Sequence, residues 1–168
     1  MYVSIGTNCA PRGYIKHNLN LSKQNGYLSC PFDLCVSPSI GIIKAIDTDF
    51  ISFFELFVID GENADGDRSR AGPGMRNITN SYGIVFNHEG ATHSHLFAAG
   101  KDDDDFYIRD DFAQFRARYA ARIENFRAAM RSPEVTLVSS GHSAAELADL
   151  LQCFRRNYPA TTFTMLAI

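Results

Sequence analysis

Apolar residues recur along this chain in two periods, and the switches between them mark out its elements. MYVSI alternates, with Val3 and Ile5 apolar and β-branched, and reads as a short strand. A helix from about Cys9 to His17 follows, capped by Thr7 or Asn8, with Pro11 suited to its first turn. Gln24-Asn25-Gly26 makes a turn into YLSCPFDL, a second short strand ended by Pro31. Ser37-Pro38-Ser39 starts a helix through Ile40, Ile43 and Ile46, and DFISFFELF predicts a further short apolar helix. Residues Asp60 to Asn80 are polar and Gly-rich, which predicts a long surface loop. SYGIVFNHEG reads as a third strand, and ATHSHLFAAG with KDDDDFYIRDD as connection. Phe112, Phe115, Tyr119, Ile123, Phe126 and Met130 then recur every three or four residues. This predicts a long amphipathic helix with Arg116, Arg118, Arg122 and Arg127 on its solvated side. VTLVSSG is a fourth strand, and Ser143 with Glu146 forms a capping box for a helix carrying Leu147, Leu150, Leu151 and Phe154. ATTFTMLAI closes the chain as a strand.

Strands alternating with helices predict an α/β architecture, three-layered, with a mostly parallel central sheet flanked by helices. The 168 residues favour a single domain over 1–168. The chain stops inside an apolar strand, so either the native chain extends beyond Ile168 or this strand closes a sheet.

Composition narrows the function classes. A formal net charge of −3 gives no overall attraction to nucleic acid or an anionic membrane, so neither is expected as a partner. No stretch is long and apolar enough to span a bilayer, and the first residues lack the pattern of a signal peptide, so a cytoplasmic location is expected. Four cysteines, at 9, 30, 35 and 153, could form two bridges, but a chain of this size needs no disulfide framework, and reduced thiols are expected. Oligomeric state is not legible.

The chemistry centres on IGTNCAPRG. Cys9 stands where a strand turns into a helix, at the carboxyl edge of the predicted sheet. There the unpaired amides and the helix dipole favour an anion, lower a thiol pKa and can hold an oxyanion. Open α/β sheets place their sites at that edge. The competing reading is a buried packing thiol. A thiolate nucleophile needs a base, and His88, at the end of YGIVFNH, would face the same edge; otherwise it is a strand-end histidine bonded to a carbonyl. His142 is the second candidate base, while His17 complements the C-terminal dipole of the first helix. The HEGATHSH run, with His88, Glu89, His93 and His95, lacks HExxH spacing, so no metal is expected. No dinucleotide or P-loop motif is present. KDDDD reads as a solvated acidic loop, and GHS is not GxSxG.

At IGTNCAPRGYIK, LSCPFDLCVSP and YGIVFNHEG, in that order, the chain resembles a bacterial family described as papain-like cysteine peptidases, whose activity is assigned by similarity. Ser4-Ile5-Gly6 and Asn8-Cys9 match its first block. Pro31-Phe32-Asp33 match the second, with Leu34 where Trp is usual, and Asn87-His88 match the third. The resemblance implies Cys9 as nucleophile, His88 as base, and Asn8 and Ala10 as support for the oxyanion. It gives Asp33 one of three roles: orienting His88, binding substrate, or capping a turn. The substrate would be a peptide or an acylated small molecule, and no cofactor is implied. In the same places the chain is similar to Cys–His capsule-polysaccharide acetyltransferases, which would add coenzyme A and a sugar hydroxyl as acceptor. A different class, a non-catalytic binding domain with a structural Cys9, stays open at this point.

Overall fold

The computed structural model describes residues 1–60, 76–89 and 106–168. In chain order its elements are β1 (Tyr2–Gly6), α1 (Ala10–His17), α2 (Ser39–Asp47), β2 (Leu56–Asp60), β3 (Arg76–Asn80) and β4 (Val85–Phe86). They are followed by α3 (Arg109–Ala129), β5 (Glu134–Ser140), α4 (Ala144–Asn157) and β6 (Thr162–Ala167). The expected α/β class is what folds, and its parallel sheet has the order β1-β5-β6. Tyr2 sits opposite Thr136 and Gly6 opposite Ser140, while Glu134 to Ser139 run beside Thr162 to Ala167.

Alternation along these strands separates two faces. Val3, Ile5, Val135, Leu137 and Phe163 enter the main core with Leu150 and Phe154 of α4 and Phe115, Tyr119 and Phe126 of α3. Tyr2, Val138 and Leu166 point to the opposite face, where they pack with Ile15 of α1 and with Tyr27. Both faces of the sheet are therefore covered, as a parallel sheet requires.

A second, antiparallel sheet of order β2-β3-β4 was not foreseen. β2 and β3 come from sequence read as the end of an apolar helix (Leu56 onward) and as the end of a loop (Arg76–Asn80), while β4 is the Val85–Phe86 part of the expected third strand. Asn80 explains part of the miss. Its buried side chain accepts from the amides of Tyr82 and Ile84 (both 3.1 Å), shaping the β3–β4 turn with a polar residue where apolar patterning gives no cue. YLSCPFDL is also not a strand. It is a buried turn in which Phe32 contacts the rings of Phe50 and Phe126, with centroids 6.1 and 5.7 Å away.

The two sheets meet through Val36 and Ser37. The Ser37 amide donates to the Gly6 carbonyl at the free edge of β1 (3.1 Å). Val36 and Val85 exchange both backbone bonds, at 2.9 and 3.0 Å. The carboxyl end of β1 and the strand that leads to His88 are thus held by two adjacent residues of one strap.

Candidate functional site

Cys9 is the N-cap of α1, one or two residues later than the expected Asn8 or Thr7 cap, and Pro11 lies in the first turn as anticipated. The turn before it is pinned to β5. The Thr7 amide donates to the Ser140 carbonyl (3.1 Å), and the Ser140 hydroxyl donates to Asn8 Oδ1 (2.9 Å). Asn8 Oδ1 also accepts from the Ala10 amide at 2.8 Å. Gly6 permits this fold-back: a Cβ there would lie 2.7 Å from Pro11 Cγ.

His88 lies two residues past β4, and its Nε2 is 3.0 Å from Cys9 Sγ, across 79 residues of sequence. Both residues are partly exposed, whereas Cys30, Cys35 and Cys153 are buried. Burial pushes the thiol of Cys153 up to about 12 and those of Cys30 and Cys35 well above the ordinary value. None of the four cysteines is joined in a disulfide.

The neighbour of His88 anchors it. Glu89 is 2% exposed and pairs with Arg118 Nε (3.1 Å) and Arg122 Nη1 (3.8 Å) of α3. Arg122 corrects the reading of this helix as basic on its solvated side. It is 5% exposed, lies 4.6 Å over the Tyr119 ring, and donates to the Asp33 carbonyl (3.5 Å). The signal was present in the spacing, since Phe115, Tyr119, Arg122 and Phe126 follow one another at four, three and four, inside the apolar stripe.

Asp33 stands apart from the dyad. Its carboxylate accepts from the Tyr27 hydroxyl (2.7 Å) and the Cys30 amide (3.3 Å), and Arg12 Nε is 3.9 Å away. Burial is the largest influence on this carboxyl and raises it to about 6, against the opposing pull of Tyr27 and the two arginines. Of the three roles open to it, capping the turn of the 30–33 segment is the one its contacts describe. Leu34, in the position of the family's Trp, is partly buried with a left-handed backbone (φ 58°).

The Ala10 amide is occupied by the Asn8 side chain. Because that contact fixes Oδ1 toward Ala10, the Nδ2 group of Asn8 is the end of the carboxamide left to donate to an oxyanion. His142, the alternative base, has both ring nitrogens engaged. Its Nε2–H donates to the Ser37 carbonyl (3.1 Å), which fixes Nδ1 as acceptor for the Ser139 hydroxyl (2.8 Å). Burial lowers its pKa, so the neutral ring serves as a brace between β5 and the Val36–Ser37 strap. His17 lies in the last turn of α1, as read.

Among the described residues no group of His, Cys, Asp and Glu could hold a metal ion, and no helix is long and apolar enough to cross a membrane. His93, His95, the KDDDD run and most of the 60–80 segment lie outside the described residues.

Fold and site together define an α/β protein with a cysteine and a histidine in contact at the carboxyl edge of a parallel sheet. No protein-family model, curated protein or solved structure matches the chain.

Proposed function

We propose that this protein is a cysteine-nucleophile enzyme of acyl transfer, of the papain-like hydrolase type, in which Cys9 attacks and His88 carries the proton. The observation behind this reading is the 3.0 Å approach of Cys9 Sγ to His88 Nε2 at the start of α1. A structural cysteine has no need of a partly exposed imidazole, and the three cysteines that pack the core are buried.

In the first half of the reaction the thiol proton passes to His88 Nε2 and Sγ bonds to the acyl carbonyl carbon. The carbonyl oxygen takes up the displaced electron pair, with Asn8 Nδ2 as a donor to it. Collapse of this intermediate breaks the bond to the leaving group, which takes the proton from Nε2 and leaves a thioester on Cys9. Water, deprotonated by the neutral His88, then attacks the thioester. The thiolate leaves and recovers a proton, and the carboxylic acid departs. Glu89 contributes by holding the His88 backbone against α3 through Arg118 and Arg122.

The test is capture of the thioester. Activated acyl donors, an aryl ester and a short-chain thioester, are mixed with the protein and quenched in acid, and the peptides are mapped by mass. An acyl group on Cys9, absent from Cys9→Ser, is the expected result. No adduct on Cys9 with either donor, in a folded protein, would overturn the reading.

A further inference from the structure

A second region of the molecule, between the segment after α1 and the flank of α3, carries an arrangement that the acyl-transfer reading does not use. Lys23, Arg118 and Arg122 converge on a cavity of about 370 Å³ whose wall is completed by Tyr27, Ser29 and Asn125. Asn125 Nδ2 donates to the Ser29 carbonyl (3.0 Å), which closes one side with a fixed polar contact.

The charges around this cavity do not balance. Lys23 feels Arg118, Arg122, Arg12 and Asp33, and Glu89 is paired to both α3 arginines. Among the described residues, four cations therefore share two carboxylates, an excess of two positive charges. Arg122 is 5% exposed, so part of this charge is held away from water. Lys23 makes no side-chain hydrogen bond or ion pair among the described residues. Arg118 meets Glu89 through Nε, and among the described residues no hydrogen bond or ion pair takes its terminal N–H groups. Like charges are gathered at a cost, and burial together with the two arginines pulls the lysine below its ordinary pKa. An arrangement of this kind is relieved by an anion that accepts from several donors at once.

We infer that this cavity is a binding site for a phosphoryl group carried by a small molecule, with Lys23, Arg118 and Arg122 as its donors. The charge argument favours phosphoryl over carboxylate: a phosphate monoester carries close to two negative charges at neutral pH and cancels the excess, whereas one carboxylate leaves half of it. Size points beyond the free ion, because a cavity of about 370 Å³ falls in the range of sites that hold whole small molecules. The site is separate from the Cys9–His88 pair but shares an anchor with it, since Glu89, which faces the two arginines, is the next residue after His88. The inference does not depend on the acyl-transfer reading.

Titration calorimetry at low ionic strength with inorganic phosphate, pyrophosphate and succinate tests it. Lys23→Gln and Arg118→Gln serve as the variants; Lys23 is exposed, so its loss leaves the core untouched. Saturable one-to-one binding of pyrophosphate is expected, with phosphate weaker and succinate weaker still. Each variant should lose about tenfold in affinity, the scale of one charge-assisted hydrogen bond. The inference is overturned by the absence of saturable phosphate or pyrophosphate binding, by succinate binding more tightly than pyrophosphate, or by affinities unchanged in both folded variants.

Discussion

Glu89 is the residue on which the geometry of His88 leans hardest, and replacing it with Gln has a calculable cost. The carboxylate is 2% exposed and faces two guanidinium groups, one of them on a side chain only 6% exposed. Removing one member of a buried ion pair costs about 3–5 kcal/mol, because the remaining charge stays desolvated without its partner. Two features move this case to the low end. Arg118 keeps 27% of its side chain in contact with water, and Arg122 retains the Asp33 carbonyl. We expect a loss of about 3 kcal/mol, a large share of the roughly 5–15 kcal/mol that holds a domain folded. In melting temperature this is a fall of about 10 °C for a chain of this size. Urea denaturation of Glu89→Gln against wild type measures it. Glu124→Gln is the control: it breaks an α3 ion pair whose carboxylate is 65% exposed and is expected to cost less than about 1 kcal/mol. Equal losses in the two variants, or a Glu89→Gln loss below 1 kcal/mol, would show that the buried cluster is not what fixes this loop.

Two more outcomes follow from named contacts. Asp33, raised from 3.8 to about 6 by burial, binds its proton more tightly folded than unfolded. Its contribution to stability is therefore fully present below pH 4 and is lost as pH rises through about 6, on the order of 3 kcal/mol. Denaturation at pH 4, 5, 6 and 7 should show wild type losing stability relative to Asp33→Asn across that interval; a constant difference between the two refutes it. Gly6→Ala drives a Cβ into Pro11, so α1 must shift, at about 1–3 kcal/mol, and Cys9 with it. Slower alkylation of Cys9 in a folded Gly6→Ala protein is expected, and an unchanged rate would mean that the fold-back of α1 does not set the thiol's position.

Much of this was legible in the chain because it rests on periodicity. β1, α1, β5, α4 and β6 are written in alternation, helical spacing, Pro11 and the Ser143–Glu146 box, whose carboxylate is pulled down to about 2 by Ser143 and Ser39. The Cys9–His88 contact was expected from one shared sheet edge, but β1 and β4 lie in different sheets, and the Val36–Ser37 strap is what holds their ends side by side. What could not be read rests on side chains acting against their type. Asn80 is buried to shape a turn, Arg122 occupies a place in the apolar stripe, and Asp33 is buried beneath Tyr27. Each is acceptable only because polar partners complete it, nearby amides and a hydroxyl for Asn80 and Asp33 and the distant Glu89 for Arg122, and apolar periodicity announces none of them. The second sheet was missed for a related reason, since β2 and β3 are short and flank a polar stretch.

The most direct test of the central claim is the pH dependence of Cys9 alkylation in wild type and in His88→Ala. Selectivity for Cys9 over Cys30, Cys35 and Cys153 is expected from burial alone and decides nothing. The apparent pKa decides. An imidazole 3.0 Å from the sulfur stabilises the thiolate, so wild type should titrate well below the free thiol value of about 8.5, and His88→Ala should return toward it. A wild-type value at or above 8.5, unchanged by removing His88, would contradict the account and leave Cys9 as a packing residue beside a histidine.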